Sequence, residues 1–281
     1  MQVRSWVFSL RTSLRELTIL QGYVRKPPDG SAIRGLLEAA PALERVEFNE
    51  VYHEVHESTT PYLSHTNVKG LIFSASTIPR NHLKSVMNGS RKLRTFRFGW
   101  VFMMMWPGII GKRSMRNAMS EIVMKRKDTV KRQSLDLSNI NSRGLEDLTG
   151  MSVLETLHIH RSMLSKRGND SARTILTVFE ILPSSIRDLG VIGATDMHLW
   201  EEVIDLVTTS SLQHPHLRRV IIASEDLEKQ DCCDWIDALT SVRNDFDIEV
   251  SVQEPQYWKD LTSPSSHWTE KGTFKQSRSE D

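Results

Sequence analysis

The chain has 281 residues, 39% of them hydrophobic and 25% charged, with 36 Lys and Arg against 35 Asp and Glu. Near-parity of charge argues against nucleic-acid binding, which draws on a basic excess to neutralise phosphates. The adjacent pair Cys232 and Cys233 excludes a disulfide framework and points to a reducing compartment. Met1 to Leu10 lack the apolar core of a signal peptide, and the longest apolar run, Gly99 to Ile110, contains a proline and is too short to span a bilayer. The expectation is a soluble protein of the cytoplasm or nucleus, with no membrane partner.

Taken in chain order, one phrase recurs: apolar, two residues, apolar, one residue, apolar. It occurs as Leu14-x-x-Leu17-x-Ile19, Leu43-x-x-Val46-x-Phe48, Val68-x-x-Leu71-x-Phe73 and Leu93-x-x-Phe96-x-Phe98. A weaker copy keeps Leu135-x-Leu137, with Arg132 in the first place. The series resumes at Leu154-x-x-Leu157-x-Ile159, Ile186-x-x-Leu189-x-Val191 and Leu217-x-x-Val220-x-Ile222, and Ile248-x-Val250-x-Val252 ends it. Successive third anchors lie 29, 25, 25, 39, 22, 32 and 31 residues apart, close to the length of a leucine-rich repeat. Alternation at the last two anchors predicts a strand in each copy.

Helical spacing fills the intervals. Ile33, Leu36, Leu37 and Ala40 share one face, ended by Pro41; Leu83, Val86 and Met87 share another; Met115, Ala118, Met119 and Ile122 a third. A helix is predicted at Ile175, Leu176, Phe179 and Leu182, capped by Asp170 or Ser171. The next has Asp196 as its cap, Leu199, Val203 and Leu206 facing inward, and Glu201, Glu202 and Asp205 facing water. The last carries Cys232, Trp235, Ile236 and Leu239. The fold class expected is α/β: an irregular leucine-rich-repeat solenoid of about eight repeats over residues 1–261, with a curved parallel sheet on the concave side and helices on the convex side. A long insertion falls near 99–131, and 262–281 reads as a disordered tail. A doubly wound α/β domain would instead carry continuous apolar strands.

The order of the phrases, with Lys127-Asp128-Thr129-Val130 leading into Leu135-Asp136-Leu137-Ser138, then Leu145-Glu146-Asp147-Leu148-Thr149, Leu154-Glu155-Thr156-Leu157, Leu182-Pro183-Ser184-Ser185-Ile186 and His216-Leu217-Arg218-Arg219-Val220, resembles the leucine-rich-repeat domain of fungal F-box-type proteins. The resemblance implies a protein-recognition role, as the substrate-selecting part of a ubiquitin-ligase receptor, with ubiquitin-ligase components among its partners. An F-box itself is not found: only thirteen residues precede the first repeat.

With the anchors pointing into the core, the residues between them line the concave face. Its central row is expected to run Thr18, Glu47, Ile72, Arg97, Asp136, His158, Gly190, Ile221. Arg97, Asp136, His158, His160 and Asp188, with Glu47 and Arg219, form the candidate patch for an unidentified protein partner. No catalytic residue, metal or cofactor is expected. His158 and His160 fall short of the three or four ligands of a zinc site, and His53-Glu54-Val55-His56-Glu57 is one residue shorter than the zincin motif. Gly108-Ile109-Ile110-Gly111-Lys112-Arg113-Ser114 lacks the spacer of a phosphate loop. Trp100 to Pro107 is either a loop packed on the rim or an apolar dock. The basic cluster Lys125-Arg126-Lys127 with Lys131-Arg132 reads as a solvated helix end before a nuclear-import or nucleic-acid patch. The alternative function is an α/β enzyme or small-ligand-binding domain with an unrecognised site.

Overall fold

The computed structural model describes residues 14–20, 38–49, 67–74, 76, 80–99, 121, 123–136, 148–161, 165–167, 173–175, 181–193, 197–223, 237–239, 241 and 247–253. Outside this set lie His53 to Glu57, Trp100 to Pro107, Gly108 to Ser114, the Cys232–Cys233 pair, the Asp196 cap and the 262–281 tail.

The chain is α/β, built on one nine-stranded sheet in which every neighbouring pair is parallel. Its strands are β1 (Glu16–Leu20), β2 (Arg45–Asn49), β3 (Gly70–Ser74), β4 (Thr95–Gly99), β5 (Arg132–Asp136), β6 (Thr156–His160), β9 (Asp188–Ile192), β10 (Arg219–Ala223) and β11 (Glu249–Gln253), laid side by side in chain order. Two short strands, β7 (Ser165–Arg167) and β8 (Arg173–Ile175), form an antiparallel hairpin between β6 and β9.

A local device sets the register. Before most strands a turn closes onto the first anchor: Leu43 N donates to Ala40 O, Leu93 N to Ser90 O, Leu154 N to Met151 O, Ile186 N to Pro183 O and Leu217 N to His214 O. The next carbonyl then takes two amides from the following copy. Arg15 O accepts from Glu44 and Arg45, Glu44 O from Lys69 and Gly70, and Lys69 O from Arg94 and Thr95. The same pairing continues through Arg94, Lys131, Glu155 and Arg187. Each copy therefore starts its strand in step with the one before, with the backbone groups satisfied as burial requires.

Residues at the second and third anchors pack into a continuous core. Phe48 stacks on Phe73 at 5.0 Å, and Phe96 and Phe98 meet Phe73 at 6.4 and 5.9 Å; such pairs add about 0.5–1.5 kcal/mol each beyond area burial. Helix α1 (Arg80–Gly89) follows Pro79, which suits a helix start, and buries Leu83, Val86 and Met87 as their spacing predicts. Helix α2 (Met197–Gln213) buries Trp200, Val203, Leu206 and Val207, and ends before Pro215. Its Glu202 does not face water: the side chain is 13% exposed and lies 3.6 Å from Arg161.

Two sequence expectations are corrected. Ile175 does not begin a helix but ends β8. Ser165–Arg167 and Arg173–Ile175 pair as the two arms of the hairpin, and the expected cap, Asp170 or Ser171, lies outside the described residues. The β5 copy is also misregistered by two residues. Phe96 pairs with Gln133 and Phe98 with Leu135, so the anchors are Val130, Gln133 and Leu135. A glutamine in the middle place hid the phrase and shifted its reading onto Leu137.

Candidate functional site

On the sheet face opposite the anchors, the register aligns Thr18, Glu47, Ile72, Arg97, Ser134, His158, Gly190, Ile221 and Ser251 in one central row. Ser134 takes the place expected for Asp136, which pairs instead with Gly99 one step further along the strands. Much of this row is not a solvated surface, although Thr18 at its β1 end is exposed. Glu47, Ile72, Arg97, His158 and Ile221 are each only 4–5% exposed. In-register strands about 4.8 Å apart set every row member between β2 and β10 against two others, and long side chains enclose one another there.

Towards β11 the adjoining row carries a polar ladder across four strands. Thr156 Oγ1 donates to Asp188 Oδ2 at 3.2 Å, Arg219 Nε lies 3.1 Å from Asp188 Oδ1, and the same Nε stands 4.0 Å from Glu249. Asp188 and Arg219 are about a third exposed, so this charge-assisted contact remains accessible to a partner.

Towards β1 the same face holds a cavity of about 530 Å³ at the N-terminal ends of β1 to β6. Arg97 lies in it, and Nε and Nη2 of its guanidinium meet no hydrogen-bond acceptor. Burial pushes Arg97 down to about 10, with Glu47 opposing that shift and Arg45 adding to it, so it stays cationic at neutral pH. Glu47 is itself raised by burial, against the pull of Arg45 and Arg97. Its carboxylate sits 3.5 Å from Arg45 on its own strand. His158 is held down to about 3 by burial first, then by the charges of Arg97 and Arg219, and is a neutral imidazole.

Of the seven residues expected from the sequence, the structure thus brings Glu47, Arg97 and His158 into one buried row and joins Asp188 to Arg219. Asp136 is displaced by the register. His160 takes a different part: it pairs with Ile192 and lies against Gly193. Gly193 has φ +71°, and a Cβ there would stand 2.6 Å from His160 Nε2. Its amide also donates to Ala223 O at 2.9 Å. Gly193→Ala is therefore expected to cost about 1–3 kcal/mol in a urea titration, from left-handed backbone strain and the clash together. Combining it with His160→Ala should recover the steric part; no recovery would show that the backbone alone is responsible.

Sequence reasoning gave no special part to Arg45, Thr156 or Gln133. The first two stand at strand starts, where the row only acquires meaning once the neighbours are known. The basic cluster proves partly structural. Arg126 donates from Nε and Nη2 to Met87 O at 2.9 and 2.7 Å and from Nη2 to Asn88 O at 2.8 Å, satisfying carbonyls at the end of α1. Lys131 pairs with Glu155 at 2.7 Å. Among the described residues no group of three or more His, Cys, Asp or Glu is placed to hold a metal ion, and no helix is long and apolar enough to cross a membrane. No protein-family model matches the chain, and no curated protein matches it, so the functional reading rests on the sheet and its side chains.

Proposed function

We propose that the chain is a leucine-rich-repeat solenoid that acts by binding another protein across the polar face of its sheet, as the substrate-recognition part of a ubiquitin-ligase receptor of the F-box type. The observation that carries this reading is the division of labour within each strand. Nine copies of one phrase add strands in chain order, with anchors on the core side and a mixed row of Glu, Arg, His and Asp on the other. Parallel strands in a doubly wound domain are apolar on both faces; here the face opposite the anchors mixes Glu47, Arg97, His158 and Asp188 with Ile72 and Ile221, and repeat proteins recognise partners along such extended surfaces. The face carries both signs of charge, which suits a protein surface better than a phosphate backbone. Recognition without catalysis, in the cytoplasm or nucleus, completes the proposal.

The test is affinity capture from the source organism's lysate with the tagged chain, beside a variant carrying Asp188→Lys and Arg219→Glu. Those two substitutions keep an ion pair across β9 and β10 but reverse its direction. The expected result is a set of proteins, adaptor and cullin subunits among them, retained by the native chain and lost from the variant. Identical capture by both would overturn recognition through this face. Loss of partners without any ligase subunit would overturn the receptor role alone.

A further inference from the structure

The carbonyl that sets each new strand in step belongs to a residue that is charged in all eight copies. Six are basic, Arg15, Lys69, Arg94, Lys131, Arg187 and Arg218, and Glu44 and Glu155 take the other two places. None of the eight is buried. At the starts of β2 to β6 the series reads Glu44, Lys69, Arg94, Lys131, Glu155, so three cations on adjacent strands are bracketed by two acids. We infer that this bracketed triplet and the groove beside it dock an acidic segment of the partner, a run of about three Asp or Glu residues between uncharged or basic ones. The inference rests on protein recognition as proposed above and names the chemistry recognised, on the β1 side of the Asp188–Arg219 ladder.

The shape of the groove comes from the next row. One residue into the strands it reads Arg45, Gly70, Thr95, Arg132. Gly70 has no side chain and Thr95 a short one, so a gap two strands wide opens between the two arginines. Neither the backbone nor the packing demands this glycine, since an added Cβ would meet only Arg45 Cγ at 3.5 Å, an ordinary contact. The gap belongs to the cavity of about 530 Å³, where Ile72 and Ser134 line it further along the strands. Lys69, Arg94 and Lys131 span two strand intervals, about 10 Å, which an extended segment of about three residues covers.

The sign of the groove is positive in a chain whose charges almost cancel. Six basic residues line it against three acidic ones, and counting the buried Glu47 beside Arg45 leaves the surplus positive. The acids of the bracket draw the two lysines outward, Lys69 to Glu44 at 3.0 Å and Lys131 to Glu155 at 2.7 Å. Arg94 stands exposed between those pairs. Exposed pairs of this kind are weak and open to exchange. Like charges on neighbouring strands repel, and carboxylates settling among the three cations relieve that repulsion. The bracket also limits what fits. A nucleic-acid strand carries its charge onward past Glu44 and Glu155 and is repelled there, whereas a short acidic run with neutral or basic flanks matches the pattern.

The experiment follows the fluorescence anisotropy of end-blocked, labelled peptides titrated with the full chain in dilute chloride. One peptide has the core Lys-Ser-Glu-Glu-Glu-Ser-Lys; the other has the same composition dispersed as Glu-Ser-Lys-Glu-Ser-Lys-Glu. The clustered peptide is expected to bind saturably and about tenfold more tightly than the dispersed one. Arg94→Glu and Gly70→Glu should each weaken it about tenfold, the first by reversing the central cation and the second by setting a carboxylate in the gap. Arg94 is exposed and Gly70 has room for a side chain, so both variants should keep the native unfolding midpoint. Arg218→Glu makes the same change of net charge as Arg94→Glu, two strands beyond the groove, and should leave binding as it was. No saturable binding, equal binding of the two peptides, or an equal loss in Arg218→Glu would overturn the site. Tighter binding of a single-stranded oligonucleotide than of the clustered peptide would overturn it as well, in favour of nucleic acid. The peptides need no lysate and leave Asp188 and Arg219 untouched, so failure here leaves the capture result standing. Capture that fails while the clustered peptide binds would overturn the receptor role and keep the groove.

Discussion

Lowering the pH from 7.5 to 4.5 should destabilise this protein, and His158 should be a principal reason. In the unfolded chain its imidazole takes a proton near 6.5; in the fold it does so only at about 3, because the site is buried and Arg97 and Arg219 lie near. Between those values the unfolded state binds a proton that the native state refuses. Stability therefore rises with pH through this window, is complete above 6.5, and is lost as pH falls towards 3. The slope is about 1.4 kcal/mol per pH unit, which makes the loss about 1.4 kcal/mol at pH 5.5 and about 2.7 kcal/mol at pH 4.5 relative to pH 7.5. His214, lowered by burial as well, contributes with the same sign. Glu47, raised by burial, acts in the opposite direction, since the fold keeps its proton to higher pH than the unfolded chain does.

The difference between native protein and His158→Gln isolates the one group. Glutamine has similar size and does not titrate, and both proteins keep His214 and Glu47. Urea unfolding at pH 7.5, 5.5 and 4.5 should show the variant losing less stability than native protein by the amounts above. Parallel loss in both proteins would mean that His158 is protonated in the fold.

The strands were legible because burial acts on them residue by residue. Leu43, Val46 and Phe48 are at most 4% exposed, as are Leu154, Leu157 and Ile159, and an apolar side chain at each place is what a core strand demands. The phrase failed only where a polar side chain took an anchor position, at Gln133. One slip of two residues then spread into the site. It set Asp136 beside Arg97, where a carboxylate would have satisfied the guanidinium. The true neighbour is Ser134, and Arg97 is left without an acceptor. What made Arg97 unusual was thus invisible in the sequence: it depends on which residues stand one strand away on either side, a long-range fact that no local pattern carries. The hairpin at Ser165–Ile175 was missed for a related reason, since apolar spacing alone does not separate a short strand from the first turn of a helix.

The same glutamine yields the second large effect. The middle anchors run Leu17, Val46, Leu71, Phe96, Gln133, Leu157, Leu189, Val220 and Val250 across the sheet. Gln133 is 1% exposed, between Phe96 and Leu157, and neither its Oε1 nor its Nε2 has a hydrogen-bond partner. Burying an amide without partners costs about 1–3 kcal/mol, whereas an apolar group of the same shape in its place loses nothing. Leucine is similar in volume, fits the core and restores the phrase. Gln133→Leu is therefore expected to stabilise the protein by about 1–3 kcal/mol, against the usual direction of core substitutions. Gln133→Ala makes the control, because it removes the same amide but leaves a cavity, whose cost offsets the gain. Chemical denaturation of the three proteins decides the matter: leucine above native, with alanine below leucine. A leucine variant less stable than native protein would show that the amide is satisfied in solution. The polar anchor would then be a structural contact of the β5 copy rather than a defect in its core.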